Sequence, residues 1–107
     1  MDFDKIKNDI KNTPLESVRV DNEVYLEAVV RVGALGEIVR LIENSIGKPA
    51  WPSKAKLGRD ARALTDKFGG LRNGQTLFYL NEGGVSIFAM LWPWQDGERV
   101  TIKLGRA

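Results

Sequence analysis

A chain of 107 residues, 43% of them hydrophobic and 28% charged, has the length of one domain and enough apolar content for a single core. It contains no cysteine and no histidine. Disulfides, thiolate nucleophiles, Cys-based zinc sites, imidazole general bases and the Ser-His-Asp and Cys-His systems are thereby excluded. The net charge of +2 conceals a gradient: residues 1–46 carry nine Asp/Glu against six Lys/Arg, residues 47–75 two against seven, and residues 76–107 three of each. A basic middle of this kind suits an anionic partner or head-to-tail self-association.

The chain opens Met1-Asp2-Phe3-Asp4-Lys5, without the basic start and apolar run of a signal peptide, and no stretch approaches the ~18 apolar residues of a membrane span. A cytoplasmic location and no membrane partner are the expectation. Phe3, Ile6 and Ile10 recur at helical spacing and predict an amphipathic helix over residues 2–12. Thr13-Pro14-Leu15-Glu16 has the spacing of a capping box and equally suits a turn into a strand, because Ser17-Val18-Arg19-Val20 alternates. Asp21-Asn22 is turn chemistry, and the β-branched run over residues 24–32 reads as a strand. Leu35, Ile38, Val39, Ile42 and Ile46 then fall on one helical stripe, with Gly47 as its C-cap.

Pro49 and Pro52 around Trp51 mark a connection. A second helix is expected over residues 58–68, with Leu57, Ala61, Leu64 and Phe68 as its apolar seam and Gly69-Gly70 as its stop. The last third reads as three strands, over residues 75–80, 85–92 and 99–104, separated by Glu82-Gly83-Gly84 and by Asp96-Gly97. The fold class is therefore α+β: an antiparallel sheet of four or five strands, two or three helices packed mainly on one face, and a C-terminal three-stranded β-meander. The whole chain, 1–107, is one domain. The middle strand of the meander is apolar on both sides, Ile87, Ala89 and Leu91 on one and Phe88, Met90, Trp92 and Trp94 on the other, so both sides need cover.

Four stretches carry candidate chemistry. Gly33-Ala34-Leu35-Gly36 and the helical run after it resemble the Gly-x-x-Gly loop of KH domains, which clamps a single-stranded nucleic-acid backbone. The resemblance covers about a tenth of the chain. It departs from the family in having Ala34 and Leu35 where phosphate approach favours small or basic residues, and in the strand before the loop; a glycine-rich strand-to-helix turn explains the same residues. The basic middle offers Lys54, Arg59, Lys67 and Arg72 as anion or nucleic-acid contacts, with Trp51 as a stacking platform. Its other charges pair at four-residue spacing, Lys56 with Asp60 and Arg62 with Asp66. Residues 69–74 read as a helix cap and a turn, or as an anion-binding nest with Arg72.

The fourth stretch, Leu91-Trp92-Pro93-Trp94, sets two of the three tryptophans on one strand face with Phe88 and Met90. That face is either covered by the N-terminal helix or meets a partner. Glu82 and Glu98 stand at opposite ends of one strand, too far apart to share a substrate atom. Tyr25 and Glu27 share the outer face of the early strand. No P-loop, dinucleotide fingerprint or metal-binding loop is present, and no enzyme activity, cofactor or metal is expected. The leading reading is a protein–protein interaction or accessory domain that uses Phe88, Met90, Trp92 and Trp94 against another protein or a second copy of itself. The alternative is a nucleic-acid-binding module built on residues 48–72.

Overall fold

A computed structural model describes residues 3–51, 58–67, 69–71 and 74–107, and of Asp60 the backbone alone. The elements follow in the order α1 (Phe3–Lys11), β1 (Ser17–Asp21), β2 (Tyr25–Arg31), α2 (Val32–Ser45), α3 (Arg59–Asp66), β3 (Thr76–Glu82), β4 (Val85–Pro93) and β5 (Arg99–Arg106). The strands form one antiparallel sheet in the order β1-β2-β5-β4-β3. The C-terminal meander is as expected, each strand pairing with the next. Its first turn is Gly83-Gly84, with φ of 58° and 83°, left-handed values at both central positions of a two-residue hairpin.

Two helices cover one face of the sheet. Phe3, Ile6 and Ile10 of α1 and Ile38, Ile42 and Ile46 from α2 and its cap pack on Leu26, Val30, Phe78, Ile87, Ala89, Leu91, Val100, Ile102 and Leu104. All of these are nearly or fully excluded from solvent, and the strand residues among them share one side by register. The opposite face has a smaller second core, in which Ala61 and Leu64 of α3 meet Leu77, Phe88 and Met90. The double-sided apolar pattern of β4 is thus satisfied by two helical layers of unequal size. Leu57 and Phe68, expected on the seam of α3, lie outside the described residues.

The path between the layers explains the strand order. After β2, α2 crosses the larger core and the chain turns around the far edge of the sheet, where Ala50 and Trp51 donate backbone N–H groups to the Leu77 carbonyl and Leu77 donates to that of Trp51. That bridge lies along the outer side of β3. The chain then packs α3 on the second face and enters β3, and the meander brings β5 back beside β2. At the other edge β1 is exposed along all five residues. No helix among the described residues is long and apolar enough to cross a membrane.

Two readings are corrected here. Residue 32 opens α2 rather than ending the strand, because Arg31 is the N-cap and β2 passes into helix with no residue between. Gly33 and Gly36 accordingly lie inside the first turns of α2, not in a loop, and neither has a left-handed φ. The likeness to a backbone-clamping Gly-x-x-Gly loop does not extend to the structure. A Cβ at either glycine would meet nothing within 4 Å. Gly33→Ala and Gly36→Ala are each expected to raise stability by about 0.5–1 kcal/mol, the usual helical advantage of alanine over glycine, read as a higher urea midpoint. A lower midpoint would mean that the backbone there is not helical.

Candidate functional site

The second face is divided across its width. Three rows cross it: Glu27, Lys103, Met90 and Leu77; Tyr25, Gly105, Phe88 and Tyr79; and Val29, Thr101 and Trp92. α3 lies over the β3–β4 end of these rows, and the β1–β2–β5 end has no helix above it among the described residues. Phe88 and Met90 are completely buried. They belong to the core beneath α3, which corrects their assignment to an interaction surface. The N-terminal helix does not provide that cover: α1 packs on the other face.

Trp92 and Trp94 stand where the covered and open halves meet, both half-buried. Trp92 leans on the smaller core, and its ring is so close to Gly69 that a Cβ there would come within 2.7 Å of Cη2. Lys103 Nζ sits 3.5 Å from the ring centroid. The indole N–H of Trp92 is buried and has no hydrogen-bond partner among the described residues. Trp94, just past Pro93, is held more fully. Its backbone N–H donates to the Arg99 carbonyl at 2.8 Å, and its Nε1–H donates to Thr101 Oγ1 at 2.8 Å. The guanidinium carbons of Arg19 and Arg99 lie 5.5 and 5.7 Å from its ring, within cation–π range.

Arg19 reaches this place because of a bulge in β1. Val18 pairs with Ala28 and Val20 with Glu27, so Arg19 is the extra residue. An unbroken alternation would set Val18 and Val20 on the same side of the sheet. The bulge turns Val20 to the side of Glu27 and Trp94 instead, and returns Asp21 to the side of α1. There Lys7 Nζ lies 3.1 Å from Asp21, and Lys11 also pairs with it. One inserted residue thus anchors the strand to α1 with Asp21, leaves Arg19 beside the tryptophan and puts Val20 on the same side of the sheet.

Arg99 has a different role from Arg19. Its Nε donates to Glu16 at 2.7 Å and its Nη1 to Asp96 at 2.8 Å, while Asp96 also accepts the backbone N–H groups of Glu98 and Arg99. The side-chain bond from Arg99 above all holds the Glu16 carboxyl below its ordinary value of 4.5; the bond from the Glu98 backbone does the same for Asp96, and those from Lys11 and Lys7 for Asp21, both ordinarily 3.8. A carboxyl depressed by folding contributes stability that is complete above its unfolded pKa and lost as pH falls through the folded one. With no histidine in the chain, urea midpoints are expected to be flat from about pH 6 to 8 and to fall below about pH 4.5. Glu16→Gln and Asp96→Asn should each flatten the acid limb, and an unaltered limb in both would remove these pairs from the account. Tyr25 donates its phenol proton to Glu27 Oε1 at 2.7 Å; burial, and then that bond, raise its pKa above the ordinary phenol range.

Of the other expected contacts, Arg59 and Lys67 are exposed, at the start of α3 and just past its end, on the same side of the sheet as the tryptophans. Trp51 is half-buried against the smaller core. Lys54 and Arg72 lie outside the described residues. No group of three or more acidic, histidine or cysteine side chains able to hold a metal ion occurs among the described residues. Sequence reasoning missed Arg19, Arg99, Thr101 and Lys103. The alternation of Thr101 and Lys103 with the buried residues of β5 was a usable signal, whereas the bulge at Arg19 has no glycine to mark it. Compared with known proteins, the chain matches no family model, no curated protein and no solved structure.

Proposed function

We propose that the chain is a noncatalytic, cytoplasmic protein-docking domain whose contact face is Trp94 and Trp92 with Arg19, Val20 and Lys103. The observation that carries this reading is Trp94 itself. A large aromatic is held half-buried at the margin of the uncovered half of a sheet face, its ring fixed by a hydrogen bond and flanked by two guanidinium groups. Tryptophan and arginine dominate the energetic centres of protein interfaces, and a ring held in place before binding loses little entropy when a partner arrives. Val20, 36% exposed on the same side of the sheet, adds apolar area to that face.

The tryptophans suit a protein better than a nucleic-acid base. Cations already lie against the π-systems of both rings, where base stacking needs an open face. A photoreactive side chain at Val20, introduced in living cells, is expected to yield a discrete protein adduct that survives nuclease and disappears with Trp94→Ala. The same group at Arg40, exposed on α2 in the other layer, should give none. An adduct lost on nuclease treatment, equal adducts at both sites, or none at Val20 would overturn the proposal.

A further inference from the structure

We propose that the docking face selects an acidic protein segment and that Arg19 is the residue that reads its charge. This rests on the docking reading above. Two guanidinium groups border Trp94, but Arg99 is already bound by Glu16 and Asp96. Arg19 forms no ion pair with any acidic side chain among the described residues, and its side chain is exposed. The bulge in β1 falls at Arg19, whose guanidinium lies 5.5 Å from the ring, and it turns Val20 to the same side of the sheet. Lys103 adds a second positive charge on the same face, over Trp92. A carboxylate arriving beside Trp94 gains a charge-assisted hydrogen bond from a guanidinium that gives up no existing ion pair to make it.

The same charges argue against two other modes. A twofold dimer through this face would bring two patches that each carry Arg19 and Lys103 against one another, an arrangement disfavoured once they are desolvated. Strand addition along β1 is also disfavoured. The strand has five residues, carries Arg19 and is bulged, three features that blunt a sheet edge. The partner therefore contacts side chains, and its recognition is electrostatic and apolar together.

The test is a titration of the purified full chain with octaglutamate, octalysine and a thymidine octanucleotide, read by tryptophan emission at low salt. Octaglutamate is expected to bind and octalysine not. Affinity should fall as salt rises, and should drop about tenfold with Arg19→Gln while Arg19→Lys retains most of it. Arg40→Gln, on the other layer, should change nothing. Urea midpoints equal to that of the parent establish that the Arg19 variants are folded. Failure of octaglutamate to bind, or equal binding by Arg19→Gln, overturns the charge selection while a nuclease-resistant adduct at Val20 would still stand. Tighter binding of the octanucleotide than of octaglutamate overturns it in favour of nucleic acid.

Discussion

Phe88→Ala is expected to destabilise the fold by about 3–5 kcal/mol, the range for removing a fully buried aromatic ring. Phe88 lies mid-strand in β4, opposite Gly105 on one side and Tyr79 on the other, and it is the largest of the fully buried side chains described in the smaller core. Among the described residues that core has five buried members, and its remaining wall is made of partly buried side chains that solvent already reaches. Domains of this size are stable by about 5–15 kcal/mol, so the loss takes a third or more of the stability of all but the most stable of them. Urea unfolding of the parent and the variant measures the difference. A cost near 1 kcal/mol would show that α3 is only loosely applied to the sheet, and the boundary between covered and open halves would lose its basis.

Gly105→Ala is the second large effect, and its sign is the informative part. Within a strand, alanine ordinarily stabilises relative to glycine. At position 105 a Cβ would lie 2.4 Å from Cε1 and Cζ of Phe88, a separation that real Cβ atoms do not show. The ring has settled over the bare backbone and cannot retreat, because α3 closes the space above it. A loss of about 1–3 kcal/mol is expected, against the gain at Gly33 and Gly36. Phe88→Leu in the same chain should recover part of it, since the shorter side chain vacates the site of the clash. A double-mutant cycle then yields a coupling of at least about 0.5 kcal/mol, and strict additivity of the two changes would refute the contact.

The fold was legible where a segment's own pattern decides its structure. Period-two and helical spacings placed the strands and helices, and glycine pairs marked the turns, because burial of one face leaves that imprint in the order of residues. The two-sided apolarity of β4 correctly signalled cover on both faces. Which helix provides it was not legible: α1 and α3 both carry apolar seams, and the choice is made by the route of the chain around β3. At the site, Trp92 and Trp94 were visible as neighbours, but the separation of Phe88 and Met90 from them was not. All four alternate on one face, and only the position of α3 over the β3–β4 end divides buried from half-exposed. Arg19 was hidden for a related reason. A bulge is set by register between two strands, and Ser17-Val18-Arg19-Val20 on its own reads as plain alternation.

The central claim is that Trp94 faces solvent among positive charges, and collisional quenching tests it most directly. In the Trp51→Phe, Trp92→Phe chain, Trp94 is the sole tryptophan, and its emission can be quenched separately by iodide and by caesium at matched ionic strength. Iodide is expected to quench it several-fold more efficiently than caesium, because cations around the ring gather the anion and repel the other ion. Arg19→Gln in that background should bring the two constants closer. Equal quenching by both ions, or a ring accessible to neither, would contradict the account.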